Sequence, residues 1–62
     1  MTAVEYDEDT QALDVAFHNG KTYRYFDVPA DEYEGLLTAD SKGQYFNAHI
    51  RDIYRYEEVT SD

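Results

Sequence analysis

A candidate anion-binding site lies at the start of the second predicted helix. Ser41, Lys42 and Gly43 would place free backbone N–H groups, a hydroxyl and an ammonium group at the positive end of that helix. These groups suit a phosphate or a carboxylate. His49 and Arg51 lie further along the same segment, so the few positive groups of the chain are expected on one side. The candidate binding residues are therefore Ser41, Lys42, Gly43, His49 and Arg51.

The same segment also has a purely structural interpretation. Ser41 and Gln44 have the spacing of a capping box, which explains both residues without a ligand. Arg51 would then pair with a neighbouring carboxylate such as Asp52. His49 borders the apolar face of the helix, where a histidine more often hydrogen-bonds a neighbour than binds a ligand. Capping is the simpler interpretation, and anion binding stays open beside it.

Nothing in the residue pattern points to catalysis or to a metal. The chain has no cysteine, no glycine-flanked serine, no pair of histidines at metal spacing and no phosphate-binding glycine loop. Glu57 and Glu58 are adjacent in a predicted strand, so they point to opposite faces. The cluster Asp7, Glu8 and Asp9 lacks the central glycine and distal glutamate of an EF-hand. We therefore expect that the protein is not an enzyme and that it has no catalytic residue, no metal site and no cofactor.

The candidate site must be positioned by a central hairpin, which we predict for residues 13–29. Two runs rich in Val, Phe, Tyr and Thr flank Asn19-Gly20, a pair typical of tight hairpin turns. Strands before this hairpin can only pair with its edge. Elements after it must fold back over one of its faces.

The register of the hairpin follows from which side chains share a face. A two-residue loop at Asn19-Gly20 would place Val15 on the same face as Arg24. A three-residue loop with Gly20 in the left-handed conformation instead pairs Val15 with Tyr23. It also sets Asp14 opposite Arg24 on the other face, so the apolar face carries no charge. The predicted buried face consists of Leu13, Val15, Phe17, Tyr23 and Tyr25.

Two helices are predicted after the hairpin. The first has Pro29 at its first position and ends at Ala39-Asp40. Gly35 costs this helix about 1 kcal/mol relative to alanine, so the helix should depend on docking. The second begins at Ser41 and carries Arg51 in its last turn, where a cation is favoured. The apolar stripes are Tyr33, Leu36 and Leu37 in the first helix, and Phe46, Ile50 and Ile53 in the second.

The remaining segments complete a sheet. Residues 4–7 alternate apolar and acidic side chains and should pair with the edge of the hairpin after a turn at residues 8–11. Residues 54–59 are predicted as the last strand, followed by a frayed Thr60-Ser61-Asp62. The order β-β-β-α-α-β predicts an α+β fold, a four-stranded mostly antiparallel sheet with two helices packed on one face. Residues 1–62 form a single domain in this prediction.

The charge of the chain is strongly negative. Its 62 residues include 14 acidic and five basic side chains, a net charge of −9, spread along the chain rather than gathered in a tail. Without cysteine, signal-peptide pattern or long apolar run, we expect a cytoplasmic protein with no membrane partner. The charge fits either an ordinary acidic domain or a salt-adapted organism. An unfolding midpoint that falls in molar KCl would exclude the salt-adapted interpretation.

Six short motifs follow one another along the chain. They are Tyr23-Arg24-Tyr25-Phe26, Val28-Pro29, Ser41-Lys42-Gly43, Tyr45-Phe46-Asn47, His49-Ile50-Arg51 and Tyr54-Arg55-Tyr56. In this order and spacing they resemble the KTSC domain, over roughly residues 4–59. That family occurs at the C-terminus of some lysyl-tRNA synthetases and as stand-alone small bacterial proteins.

The resemblance implies a small non-catalytic binding module associated with RNA, with tRNA as the expected partner. The alternative is a protein-interaction domain that docks through its open sheet face or an edge strand, its acidic surface steering a basic partner. Tyr23 and Tyr25 would form a base-stacking platform if they were exposed. The hairpin register points them at the helices, which favours the core.

Overall fold

Each strand of the sheet pairs with the strand that precedes it in sequence. The computed structural model describes residues 1–59. The sheet order is β1-β2-β3-β4 and all three pairings are antiparallel, as expected for an α+β fold with two helices between the last two strands. The elements are β1 Ala3–Asp7, β2 Ala12–Ala16, β3 Thr22–Tyr25, α1 Ala30–Thr38, α2 Lys42–His49 and β4 Tyr56–Glu58.

The three-residue loop predicted for the central hairpin is confirmed. Val15 lies opposite Tyr23, and Asp14 lies opposite Arg24. The Phe17 N–H donates to the carbonyl of the residue after Gly20 at 2.8 Å, which closes the loop. Gly20 has a φ of 84°, which a residue with a side chain rarely adopts. The turn chemistry therefore sets the register, and the register sets which side chains face the helices.

The core lies between the sheet and the two helices. Both helices pack on the face that carries Leu13, Val15 and Tyr25, all of which are buried. Phe17 and Tyr23 belong to the same face but are only half-buried, because they lie towards the end of the hairpin that the helices leave open. The buried residues are Leu13, Val15, Tyr25, Val28, Leu36, Phe46 and Ile50.

Helix α1 begins one residue later than predicted. Pro29 is its N-cap, with φ −64° and ψ 151°, and its carbonyl accepts from the Glu32 N–H at 3.0 Å. Leu36 is fully buried, whereas Leu37 is 43% exposed. The prediction that Leu37 belongs to the apolar stripe that packs on the sheet is therefore wrong. Adjacent residues lie about 100° apart around a helix, so this nine-residue helix buries Leu36 and leaves Leu37 partly exposed.

Helix α2 ends earlier than its apolar stripe predicted. The N–H groups of Ile50 and Arg51 both donate to the Phe46 carbonyl at 2.9 Å, which terminates the helix after His49. Arg51 therefore lies in the loop after the helix and not in its last turn. Ile53 is 65% exposed, so the predicted continuation of the stripe to Ile53 is wrong.

The chain turns after α2 because it must return to the edge of β3. The Tyr54 N–H donates to the Ile50 carbonyl at 3.2 Å, and the Phe26 N–H donates to the Arg55 carbonyl at 2.9 Å. The last strand is consequently shorter than predicted, Tyr56–Glu58 rather than residues 54–59. The predicted fraying of residues 60–62 lies outside the described residues. No helix in the described part of the chain is long and apolar enough to cross a bilayer.

Candidate functional site

The start of α2 has the cap that the sequence predicts. Ser41 is the N-cap residue, with φ −124°, and its Oγ accepts from the Gln44 N–H at 3.3 Å. Lys42 and Gly43 are exposed, and the first turn of α2 contains no acidic residue. The positive end of the helix is thus not neutralised by a carboxylate of its own first turn.

We expect Ser41→Ala to lower the free energy of unfolding by about 0.5–2 kcal/mol, because the Gln44 N–H loses its side-chain acceptor. Ser41→Asp is the matched control, since aspartate caps a helix as well as serine does. Urea unfolding monitored by circular dichroism measures both variants. Equal losses in the two variants would contradict a capping role.

His49 faces the α1 side of α2. Its ring stacks on Tyr45 with the centroids 4.2 Å apart and an interplanar angle of 22°. The Tyr45 hydroxyl in turn donates to Glu32 Oε1 at 2.8 Å, and the Tyr45 ring lies against Gly35 of α1. Lys42, seven residues before His49, shares this edge of the helix by its spacing. Contacts between the two helices therefore occupy this edge of α2 at Tyr45, whereas Lys42 is exposed.

Four tyrosine hydroxyls are held in the neutral form by their surroundings. Burial raises the pKa of Tyr6, Tyr25 and Tyr54 above the ordinary value of 10.0. For Tyr45 the main cause of the raised pKa is its hydrogen bond to the Glu32 carboxylate, followed by burial. Each of these hydroxyls holds its proton more tightly in the folded protein than in the unfolded chain.

We expect stability to fall in alkaline solution. Below about pH 10 the four hydroxyls are protonated in both states and their contribution is fully present. As the pH rises above this value the unfolded chain loses its phenolic protons first, so the contribution is lost through the raised folded-state pKa values. Urea unfolding from about pH 8 to pH 11.5 measures the loss. Tyr45→Phe should show a smaller loss, and a pH-independent stability would contradict the prediction.

Arg51 lies on the other side of α2, in a groove of about 450 Å³ between the end of the central hairpin, α2 and β4. We call this the aromatic groove. Its aromatic residues are Phe17, Tyr23, Tyr25, Phe46 and Tyr56, and its polar residues are Asn19, Asn47, Arg51 and Asp52. Five rings and one guanidinium in one groove could hold a planar group that carries a negative charge.

The structure divides the five predicted binding residues among three places. Ser41, Lys42 and Gly43 stay together at the start of α2. His49 stacks on Tyr45 at the edge that faces α1. Arg51 lines the aromatic groove beside Asn47. Arg51 is therefore grouped with the rings of the hairpin rather than with His49.

The distribution of charge along the chain contains information about this groove that the sequence motifs do not. Residues 15–26 and 41–51 contain no Asp or Glu, so all 14 acidic residues lie outside these two segments. The two segments hold four of the five Lys and Arg residues and both histidines. Seven of the nine residues that line the aromatic groove come from them. The groove is thus the place where the two acid-free segments of an acidic chain meet.

A larger cavity, of about 860 Å³, lies on the outer face of the sheet beside the β1–β2 turn. Five of its lining residues carry carboxylates. Its cation, Arg24, is already held by Asp14 through Nε to Oδ1 at 2.9 Å and Nη2 to Oδ2 at 3.1 Å. Within residues 1–59 no three His, Cys, Asp or Glu side chains are grouped to hold a metal. We assign no anion or metal site to this cavity.

The structure is a small α+β domain with an aromatic groove beside α2. A family model described as the KTSC domain matches residues 1–56. The chain therefore belongs to the KTSC domain family, as the motifs of the sequence predicted.

Relatives of two kinds support this assignment. A Lysine--tRNA ligase of Nostoc punctiforme is 40% identical over 55 residues, which cover 89% of this chain and 10% of the ligase. An uncharacterized protein of Stutzerimonas stutzeri is 40% identical over 60 residues, covering 95% of this chain and 84% of that protein. The chain thus spans about a tenth of the length of the ligase that it matches.

A solved structure has the same architecture. The crystal structure of a KTSC domain protein from Yersinia pestis superposes with a TM-score of 0.88 at 28% sequence identity. The match covers 90% of this chain and 79% of that one. The antiparallel four-stranded sheet with two helices is therefore the fold of this family member as well.

Proposed function

We propose that this domain is a non-catalytic module that associates with RNA, with tRNA as its first candidate partner. The observation that carries the proposal is the likeness of nearly the whole chain to a segment of Lysine--tRNA ligase, an enzyme named for acting on tRNA. That segment is about a tenth of the ligase, so its contribution would be binding rather than the ligation itself. The proposal includes a cytoplasmic location.

The arrangement of charge supports a local RNA contact despite the net charge of −9. The candidate residues Ser41, Lys42 and Gly43 present a hydroxyl, an ammonium group and the positive end of α2, and Arg51 lies in the loop that follows the helix. His49, the fifth candidate residue, lies at the edge of α2 that faces α1. No acidic residue interrupts residues 41–51, whereas the carboxylates of β1 and of the β1–β2 turn lie on the outer sheet face. Asp40 and Asp52 border this segment, so phosphates would meet the least repulsion at the residues between them.

An NMR titration tests the proposal. We expect bulk tRNA at low salt to shift the backbone amides of residues 41–47 and 49–51, with the shifts weakening steeply at moderate salt. Lys42→Ala/Arg51→Ala should remove most of the binding, and each lost phosphate contact should reduce the salt slope by about one. An unchanged spectrum at millimolar tRNA would overturn the proposal.

Arg55→Ala is the matched control for Arg51→Ala. The two arginines are four residues apart and carry the same charge, but the Arg55 guanidinium lies 4.8 Å from the centroid of the Phe26 ring, outside the groove. Arg55→Ala should therefore leave tRNA binding close to that of the unmodified protein. Equal losses in the two variants would show a response to net charge instead of a site.

A second function, binding of a basic protein segment, is favoured by the outer face of the sheet. The strand register places Glu5, Asp14, Arg24 and Glu57 in one row across four strands. Arg24 is neutralised by Asp14, so the row carries a net negative charge. An oligolysine peptide is the probe: shifts confined to this row, abolished by Glu5→Lys/Glu57→Lys with tRNA binding unchanged, would support this function over the first.

A further inference from the structure

The rings of the aromatic groove do not use their faces to stack on each other. Tyr23 and Tyr56 meet edge to face at 5.6 Å and 88°, and Tyr25 and Tyr56 are tilted by 31°. Within residues 1–59, the two stacked pairs, at interplanar angles of 16° and 22°, lie elsewhere. Tyr56 is 54% exposed in spite of these neighbours. The exposed ring of Tyr56 therefore presents aromatic surface on which a further planar group can stack.

The polar residues of the groove also leave binding groups unused. Within residues 1–59, the Asn47 amide and the Arg51 guanidinium have no hydrogen-bond or ion-pair partner. An amide supplies both donors and an acceptor, which matches the edge of a nucleobase. A guanidinium presents a planar fork of donors that matches a phosphate. Asp52 lines the groove beside Arg51 without forming an ion pair with it, so the Arg51 guanidinium is a cation that a ligand could use.

The charge around the groove selects the occupant. An apolar peptide would need the rings but not the guanidinium, and inorganic phosphate would need the guanidinium but not the rings. A nucleotide needs both. The volume of about 450 Å³ lies within the range of roughly 300–1,000 Å³ that is usual for small-ligand sites. The groove is lined mainly by the two acid-free segments, residues 15–26 and 41–51, and the carboxylate in its lining is that of Asp52.

From these observations we infer that the aromatic groove holds one unpaired base of a single-stranded RNA segment, stacked on the exposed ring of Tyr56. Asn47 contacts the edge of the base and Arg51 contacts the adjoining phosphate. The inference rests on the proposed function and adds the place and the chemical class of the base contact. Stacking of this kind tolerates different bases, because every base has an aromatic face.

Two ligands that differ only in their bases test the inference. A short single-stranded RNA is titrated against the labelled protein in parallel with an abasic sugar–phosphate chain of the same length and charge. We expect the RNA to shift the amides of Asn47, Arg51 and Tyr56. The abasic chain should leave the amides of Asn47 and Tyr56 unshifted, and should move only those of residues 41–43 and of Arg51, which contacts phosphate.

Substitutions in the groove give an independent measure. Tyr56→Ala should weaken binding of the RNA by about 5- to 150-fold, the loss expected for one base–aromatic stack. Tyr56→Phe keeps the ring and should bind as the unmodified protein does. Should Tyr56→Ala fail to fold, Asn47→Ala serves instead, because Asn47 is exposed and outside the core. It should weaken RNA binding and leave abasic binding unchanged.

The outcomes separate this inference from the proposed function. Shifts at residues 41–43 and Arg51 that are equal for the RNA and the abasic chain, with the amides of Asn47 and Tyr56 unshifted, would overturn the inference and leave the proposed function standing. The absence of any shift with either ligand at millimolar concentration would overturn both. Groove shifts that need the bases, together with weaker binding by Tyr56→Ala, would support both.

Discussion

The Ile50→Ala variant should lose about 2–5 kcal/mol of its free energy of unfolding, whereas Ile53→Ala should change it by less than about 0.5 kcal/mol. The two residues are identical in type and three positions apart. Ile50 is fully buried against the core, and Ile53 is 65% exposed in the loop after α2. Truncating the first removes buried methyl groups and leaves a cavity, while truncating the second removes groups that already meet water.

Urea unfolding of both variants measures the difference. At roughly 0.05–0.15 kcal/mol per residue, a domain of this length has a total stability of about 3–9 kcal/mol, so Ile50→Ala can unfold it outright. Ile50→Val, with an expected loss of about 0.5–1.5 kcal/mol, then supplies a measurable value. Similar losses for Ile50→Ala and Ile53→Ala would mean that α2 continues to Ile53 and buries it.

Gly35→Ala should destabilise the protein by about 1–3 kcal/mol, the range of an overpacked site. Helix propensity alone gives the opposite sign, because alanine is better than glycine within a helix by about 1 kcal/mol. The structure reverses this expectation. A Cβ at position 35 would lie 2.7 Å from Cζ of Tyr45 and closer still to its hydroxyl. Tyr45 cannot move away without disturbing its hydrogen bond to Glu32 and its stacking on His49.

A double-mutant cycle isolates this effect. In a Tyr45→Ala background the obstructing ring is absent, so Gly35→Ala should now stabilise α1 by up to about 1 kcal/mol. The change of sign between the two backgrounds is the expected result, and chemical unfolding of the four proteins measures it. Gly35→Ala that stabilises the protein with Tyr45 present would show that the ring does not constrain α1.

The two edges of α2 have different consequences for the proposed function. At the α1 edge, Tyr45 and His49 are occupied by contacts that hold the helices together. At the other edge, Asn47 and Arg51 line the aromatic groove and have no such partners among the described residues. Variants at His49 are therefore expected to report on stability as well as on binding. Variants at Asn47 and Arg51 report on binding more directly.

The hairpin and the helix cap were predictable because their causes are local. Asn19-Gly20 favours a tight turn, and the alternation on either side admits one register that keeps charge off the apolar face. Ser41 and Gln44 are three residues apart, so their hydrogen bond depends only on the backbone between them. The order of elements followed from the same kind of information, and from it the α+β fold.

What the sequence could not decide depends on contacts between distant residues. A helical stripe that includes Ile53 is as regular as one that ends at Ile50. In the structure α2 ends at His49, and the chain then returns to the edge of β3. From the sequence, Gly35 only lowers the helix propensity of α1. In the structure the ring of Tyr45, ten residues later, occupies the space beside Gly35. Helix propensity and periodicity contain no information about either constraint.

The aromatic groove shows the same division. The composition of residues 15–26 and 41–51 was visible in the sequence, including their lack of carboxylates. Their meeting was not visible, because it requires α2 to lie beside the turn end of the hairpin and β4 to add Tyr56 from the far side of β3. Local patterns thus determined which segments form strands and helices and which segments lack carboxylates. Only tertiary packing, which joins residues more than 20 positions apart, brought Arg51 to the rings of Tyr23 and Tyr25.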